Sequence, residues 1–341
     1  MALLFMDGFD VGDFALKWTS HGNVASNTTT RFSSGRSMNT PNSTSGSFFG
    51  SVMRYIPASS KIFLGVAFNP AALLDGTKEI IALFGDSGTT EHLSLITKAS
   101  GAIALYRGSP SGTLLATSSA GQLIAAGWVY IEVSATIADS GGTCVVRVNG
   151  VEVINFTGGT KNAGTNSTID AVQLAGYTLA NTSNVLWDDF YLCDDTGSVN
   201  NTFLGDVRVQ TLLPTGAGAS TQFTPSVGSN WDNVNDAPYV STTYNSSATV
   251  GNRDTYAMSD LLSGTGTVFG VQDNLLALKS DAGTASIKAA IKSGGTVYYD
   301  STVSLGTALG ATEAVREVDP ATSAAWTVTN VNALEFGAEV A

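Results

Sequence analysis

GWVYIEVSATIADSGGTCVVRVNGVEVINFTG, residues Gly127–Gly158, decides the fold. A Trp-led strand over Trp128–Ile137 is predicted, followed by a polar turn at Asp139, Ser140, Gly141 and Gly142. A second strand covers Thr143–Val148, an Asn149-Gly150 turn follows, and a third strand runs over Val151–Phe156. Apolar and polar residues alternate through all three, so each strand buries one face. Asn-Gly between two such runs predicts a tight hairpin, because both central turn positions take positive φ. Nothing in the stretch supplies a nucleophile or an acid–base pair, so it reads as part of a binding or structural module.

The chain has 341 residues, more than one ordinary β-sandwich needs and enough for two. Hydrophobic residues at 43% are sufficient to build cores, which excludes a disordered chain. Charged residues make up only 13%, and Gly, Ser, Thr, Asn and Ala fill the gap. That mix suits short strands and tight turns rather than long surface helices. The expectation is an all-β protein of two β-sandwich or jelly-roll domains. The net charge of −12 reflects a scarcity of basic residues, and no Lys/Arg cluster exists to follow a phosphate backbone. Direct nucleic-acid binding is therefore not expected. The opening MALLFMDGFD has no basic region and only a short apolar run, so neither a signal peptide nor a membrane partner is expected. Asn-x-Ser/Thr triplets such as Asn27-Thr28-Thr29 then reflect composition alone.

Two signals place a domain boundary near residue 200. A strand over Val185–Leu192 is closed by Cys193-Asp194-Asp195-Thr196-Gly197, and a polar connector, Ser198–Thr202, follows. Residues 1–197 form the first predicted domain and 203–341 the second. Further strands of the first are expected at Ile62–Phe68, Glu79–Phe84, Leu93–Ile96 and Ile103–Tyr106. The second is expected to hold Val207–Leu213, Arg253–Met258, Thr267–Lys279, Ser286–Ser293 and Thr296–Leu305, with a closing strand over Asn332–Val340. Asp319-Pro320 fits a helix start, with Asp as cap and Pro at the first helical position, and Ala324-Ala325-Trp326 as its apolar turn. No internal repeat links the halves.

The Trp-led strand and the V-x-V-N-G-x-x-V hairpin at Val146–Val153 resemble laminin-G and concanavalin A-like jelly rolls. That resemblance implies that the first strand, Leu3–Asp10, lies beside the last, bringing Asp7 and Asp10 near Asp188 and Asp189. It also implies a strand starting in Gly35-Arg36-Ser37-Met38-Asn39. Further segments extend the likeness: Phe5-Met6-Asp7-Gly8-Phe9-Asp10, Lys17-Trp18-Thr19, Gly205-Asp206-Val207-Arg208-Val209, Trp231-Asp232-Asn233-Val234, Arg253-Asp254-Thr255-Tyr256 and Asp319–Thr327. In this order they resemble a family of tailed-phage and prophage structural proteins that pair a lectin-like jelly roll with a C-terminal β domain. The resemblance covers nearly the whole chain. It implies a non-enzymatic virion structural protein, tail- or neck-associated (fibre or collar), with capsid decoration next. It further implies a virion location after assembly in the bacterial cytoplasm, other virion proteins as partners, and a symmetric homo-oligomer, a trimer ahead of larger rings. Strands such as Ile62–Phe68 and Thr296–Leu305 are expected to offer edges for such assembly. The alternative is a carbohydrate-binding, lectin-like protein that meets host surface glycans. A polysaccharide hydrolase is the third reading.

Glycoside hydrolysis needs two carboxylates flanking the scissile bond. The E-x-D-x-E triplet of concanavalin-like glucanases is absent, and Glu79, Glu132 and Glu152 each stand among apolar neighbours. Asp188-Asp189 and Asp194-Asp195 are adjacent in strand-like sequence, so the members of each pair are expected on opposite faces. The two histidines, His21 and His92, read as solvated loop residues, and no G-x-S-x-G elbow or P-loop occurs. No catalytic residue is assigned. Cys144 shares a predicted strand face with Val146 and Val148 and reads as a buried thiol, while Cys193 has a less certain face. A Cys144–Cys193 bridge or an intersubunit bond stays open as an alternative. No metal ligand set is assigned either; calcium is the one ion with support, from Asp7, Asp10, Asp13, Asp188 and Asp189 at one sandwich edge. Among aromatic residues, Trp18, Trp231, Tyr239 and Tyr244 lie in loop-like sequence and are the sugar-stacking candidates, whereas Trp128 and Trp187 read as core.

Overall fold

The computed structural model describes residues 2–32, 35–40, 50–73, 79–175 and 184–341. Nearly all regular structure is antiparallel β, and the chain divides into two compact units, Met1–Val209 and Gln210–Ala341.

In the first unit the strands begin with β1 (Leu3–Asp7), β2 (Ser20–Gly22), β3 (Ala25–Asn27), β4 (Ser37–Thr40) and β5 (Ser51–Ser59). They continue with β6 (Lys61–Pro70), β7 (Glu79–Gly85), β8 (Thr90–Thr97), β9 (Ile103–Arg107) and β10 (Thr113–Thr117). The last five are β11 (Val129–Thr136), β12 (Gly142–Val148), β13 (Val151–Gly158), β14 (Ile169–Ala175) and β15 (Val185–Asp194). An eight-stranded sheet runs β13-β12-β11-β6-β15-β4-β3, with β1 also paired to β15. A seven-stranded sheet runs β10-β9-β8-β7-β14-β5-β2. The hairpin read from sequence is present: Asn149 and Gly150 take φ of 50° and 79°, and Val148 pairs with Val151. The Asn149 side-chain oxygen accepts the Tyr130 backbone N–H at 2.8 Å, which ties the turn to β11. β1 pairs β15, with Asp7 opposite Phe190, as the jelly-roll resemblance implies.

One side of each sheet contributes to a shared core. Phe5, Ile62, Leu64, Val66, Phe68, Ile131, Val133, Cys144, Val146, Trp187, Phe190 and Leu192 come from the eight-stranded sheet. Val52, Ile81, Leu83, Leu93, Leu95, Ile103, Leu105, Val172 and Leu174 come from the other. Both cysteines are free and buried; Cys144 faces this core, and Cys193, next to core-facing Leu192, alternates to the outer side. β6 lies between β11 and β15, so Ile62–Phe68 is a central strand and offers no edge. Its hydrophobic residues are explained by burial on both faces.

The second unit holds β16 (Pro214–Thr221), β17 (Thr224–Pro225), β18 (Asn245–Ser246), β19 (Arg253–Met258), β20 (Val271–Ala277) and β21 (Ser286–Ser293). It continues with β22 (Thr296–Tyr299), β23 (Val303–Ser304), β24 (Gly310–Arg316), β25 (Val318–Asp319), β26 (Ala324–Ala325), α1 (Val328–Asn332) and β27 (Glu335–Val340). A six-stranded sheet, β16-β19-β27-β21-β22 with β23 on β21, is accompanied by three two-stranded ribbons. One face of the sheet supplies Ile291, Phe336 and Met258 to a small core with Trp326, Val331 and Leu334. The other carries cross-strand charge rows: Lys288 and Arg253 both pair with Glu339, and Lys292 pairs with Glu335.

Three sequence expectations change here. Val207–Leu213 is not a strand; the first strand of this unit starts at Pro214, and residues 203–209 pack on the first unit. The expected strand Thr296–Leu305 is broken into β22 and β23. The helix is capped by Thr327, whose hydroxyl accepts the Asn330 N–H at 3.1 Å, and not by Asp319. Asp319 instead organises a turn, accepting from Ala321 N–H, Ser293 Oγ and Asn330 Nδ2.

Candidate ligand-binding face

The outer face of the eight-stranded sheet is occupied by its own chain. Glu132 on β11 is 1% exposed. Its Oε1 accepts from Tyr191 Oη at 2.6 Å and from the Gly205 N–H at 2.8 Å. The Leu204 N–H donates to Tyr191 Oη at 3.1 Å, and the Val209 N–H to Asp189 Oδ1 at 2.8 Å. Phe203 packs edge-on against Phe63, beneath the Arg147 guanidinium. Residues 203–209 thus form a strap across this face. Gly65 makes room for the two tyrosine rings on this face: a Cβ there would lie 2.2 Å from Tyr191 and 2.8 Å from Tyr130.

Asp188 and Asp189 do not point to opposite faces as strand alternation predicts. Asp189 takes φ of 52° within a register shift between Asp188 and Tyr191, and this bulge re-aims it. Both carboxylates are buried and both meet Arg31: its backbone N–H donates to Asp188 at 3.0 Å, its guanidinium to Asp189 at 3.3 Å. The same guanidinium reaches Asp206 of the strap. Burial, and then the Asp189 charge, push the Asp188 carboxyl up to about 8. Burial pushes Asp189 up to about 6, with Val209 and Arg31 holding it from rising further.

The five carboxylates considered for calcium do not gather into one ligand set, although Asp188 lies beside Asp189 and feels the Asp10 charge. Asp7 accepts from Lys17 Nζ at 2.8 Å and Trp18 Nε1 at 2.8 Å, and Asp13 caps a short 3-10 turn through the Ala15 N–H. Asp10 accepts the Arg36 N–H at 2.6 Å. Among the described residues no three His, Cys, Asp or Glu side chains come together in a group that could hold a metal ion.

Of the loop aromatics, Trp18 is core: it is 2% exposed, stacked on Phe9 and edge-on to Phe5. Sequence alternation cannot reveal this, because the Asp7 acceptor that draws the indole inward lies on a different element. Trp231 and Tyr239 are half-buried in the second unit, and Tyr244 is exposed. Trp187 is fully buried, and Trp128, just before β11, is half-buried.

The outer face of the seven-stranded sheet is different. Register places Leu114, Tyr106, Ser94, Ala82, Gln173, Met53 and Ser20 opposite one another in a single row crossing every strand. Alternation puts this row on the side away from Leu93, Leu105, Leu83 and Val172. Ala82 and Ser94 are the buried floor; Tyr106, Gln173 and Met53 are half-buried, and Leu114 and Ser20 are exposed. Lys98 lies 5.9 Å from the Tyr106 ring. A parallel row brings Glu91, Phe84, Ala171 and Tyr55 together, and the exposed Tyr55 ring leans toward the Gly88 turn. Glu79 falls on the same side, opposite Ile96.

Glu79 therefore does not stand alone. Its side chain hydrogen-bonds that of Glu91, and burial, then the Glu79 charge, push Glu91 up to about 7. Glu91 Oε1 is buried without a protein partner. His92 is not a loop residue either: it sits in a bulge on β8, fully buried, with Nδ1 accepting the Asn162 N–H at 3.3 Å. Its ring fills the space over Gly85, and burial lowers its basicity. His21 is exposed on β2. Tyr106, Gln173 and Glu91 went unnoticed in the sequence because each is a single residue in a short strand. The pattern that joins them is cross-strand register.

As chemistry, the face offers aromatic surface, an amide, a hydroxyl and a carboxyl pair. Glycoside cleavage needs carboxyls about 5 Å apart or more to hold the scissile bond between them. Glu79 and Glu91, hydrogen-bonded to each other, leave no such room.

No family model and no curated protein matches the chain. Solved structures do. The cellulose-induced protein Cip1 is 16% identical over 59% of this chain and 99% of its own, with a TM-score of 0.44. Domain 4 of AbnA, an extracellular arabinanase from Geobacillus stearothermophilus solved with arabinotriose, is 15% identical over 57% and 93%, with a TM-score of 0.39. A carbohydrate esterase of the Shiga toxin-encoding bacteriophage phi24B is 14% identical over 51% and 88%, with a TM-score of 0.36. These likenesses concern the fold alone. No helix among the described residues is long and apolar enough to cross a membrane.

Proposed function

We propose that this protein is a non-enzymatic, lectin-like glycan-binding protein, with its ligand on the outer face of the seven-stranded sheet. The continuous row from Leu114 to Ser20 carries this reading. Tyr106 gives an apolar ring with a polar tip, and Gln173 and the Glu79–Glu91 pair give the donors and acceptors that sugar hydroxyls need. The opposite outer face is closed by the 203–209 strap, which leaves this one for a ligand. Glycan-array binding, followed by titration of the positive glycans against wild type and Tyr106→Ala, tests it. Absence of binding to any glycan would refute it.

A virion role is the second reading, as a tail- or neck-associated component or capsid decoration built from a symmetric oligomer. The second unit favours it. Val250, Val227, Leu262 and Tyr244 are 73%, 61%, 58% and 56% exposed on a unit with a small core. Such apolar surface suits a neighbouring subunit. Its edge strand β22 also stays available for pairing. Mass spectrometry of purified particles tests the location, and light scattering of the isolated protein tests the oligomer; absence from particles together with a strict monomer would remove this reading.

A further inference from the structure

Two features of the seven-stranded sheet's outer face set the chemistry of its ligand. The first is extent. The row crosses six interstrand gaps of about 4.8 Å, roughly 29 Å in all. Every strand contributes a side chain, from Leu114 at one margin to Ser20 at the other. One sugar ring covers a small part of that length, whereas a chain laid across the strands meets Leu114, Tyr106 and Gln173 in turn.

The second feature is charge. Glu79 and Glu91 come from neighbouring strands, lie on the same side and hydrogen-bond each other above Ser94. Glu91 Oε1 is buried with no protein donor. Among the described residues, the basic group on this side is Lys98, placed over the Tyr106 ring. Arg54 and Arg107 alternate to the other side, and the Arg54 guanidinium lies over Phe5. His92 is buried beneath Asn162 and turned toward Gly85, and burial lowers its basicity. Among the described residues, a ligand entering the face therefore meets two carboxyl groups and one fixed positive charge, Lys98.

We propose that this face takes a linear, uncharged glycan laid across the strands, with its hydroxyls meeting the Glu79–Glu91 carboxyl pair, and that it refuses polyanionic chains. This rests on the glycan-binding reading above. A carboxyl pair that holds one proton presents a donor and several acceptors together. A sugar hydroxyl is itself both donor and acceptor, so the two match without unpaired groups. A uronate or sulfate would bring a further negative charge against the pair, whose Glu91 carboxyl burial and the Glu79 charge already make hard to ionise. Loss of the shared proton removes the donor, so the neutral ligand should bind less well as pH rises through about 7.

The test uses the full chain on one array of oligosaccharide ladders. One set is cut from neutral glucans, galactans, xylans and mannans, another from polyuronates, and a third from cationic chitosan, each read at pH 6 and pH 8.5. Expected are neutral ladders bound with affinity rising over several sugars, at least about ten-fold above uronates, a 1.4 kcal/mol preference. Binding should weaken several-fold at pH 8.5, and Glu79→Gln with Glu91→Gln should raise uronate binding and flatten the pH response. Circular dichroism verifies that this variant folds; if it does not, the wild-type ladders and pH profile decide alone. Uronates or chitosan bound as tightly as neutral chains, or affinity complete at one sugar, would overturn the proposal while leaving a glycan-binding protein. Binding to no ladder would overturn the reading beneath it.

Discussion

Tyr191 Oη donates a 2.6 Å hydrogen bond to Glu132 Oε1 on the outer face of the eight-stranded sheet, and the same oxygen accepts the Gly205 N–H. Three distant parts of the sequence meet at that one oxygen: β11, β15 and the strap. Glu132→Ala leaves the phenol and the amide without an acceptor in a buried place, each costing about 1–3 kcal/mol. The expected result is a lower unfolding midpoint in denaturant together with faster proteolysis between residues 203 and 209. An unchanged midpoint and an uncut strap would contradict it.

Gly65 gives a second prediction. Its missing side chain is the space in which the Tyr130 and Tyr191 rings lie, with the nearest ring carbon 2.2 Å from where a Cβ would be. Neither ring is the free end of a flexible chain; both are fully buried. Gly65→Ala should destabilise the first unit by about 1–3 kcal/mol, as overpacking does. Measured urea or guanidinium midpoints decide, and a neutral or stabilised variant would show that the rings have somewhere else to go.

The pH dependence of stability has an unusual direction. Asp188, Glu91 and Asp189 are held above ordinary carboxylate values, at about 8, 7 and 6. Between about pH 4 and 8 the folded chain keeps protons that the unfolded chain has released, so these groups stabilise the fold fully below pH 4 and lose that contribution as pH rises to 8. His92, with lowered basicity, acts oppositely: its contribution is present above about 6.5 and is lost as pH falls. Thermal melts of the wild type should therefore show a higher midpoint near pH 5–6 than at pH 8.5. Asp188→Asn should flatten the alkaline side. A midpoint that rises steadily to pH 8.5 would contradict the assignment.

How far the sequence could be read follows from which interactions are local. The Asn149-Gly150 hairpin was legible because the turn's need for positive φ is written in two adjacent residues. The pairing of β1 with β15 followed from the jelly-roll resemblance and stands. The Asp188–Asp189 bulge was not legible, since strand alternation is the rule that the bulge breaks, and the partner that both carboxylates meet, Arg31, lies 157 residues from Asp188. The inward turn of Trp18 depends on Asp7, and the placement of His92 depends on Asn162. A strand over Val207–Leu213 was expected because Val207–Val209 has strand-like alternation, yet the Val209 amide is satisfied by an Asp189 side chain. Asp319-Pro320 has the composition of a helix start, but the Asp319 carboxylate serves Ser293 and Asn330, and the helix waits for Thr327. The candidate binding face lay outside the reach of single-strand patterns, because register across seven strands is what assembles it.

Isothermal titration of wild type against Tyr106→Ala and Gln173→Ala, with whichever glycan the array selects, decides whether the outer row of the seven-stranded sheet holds the ligand. Both side chains are half-buried on the outer row and face away from the core, so the variants should keep the wild-type β spectrum and unfolding midpoint within about 0.5 kcal/mol. Each substitution should weaken binding by about ten-fold or more, equivalent to about 1.4 kcal/mol. Folded variants that bind as tightly as the wild type would contradict it.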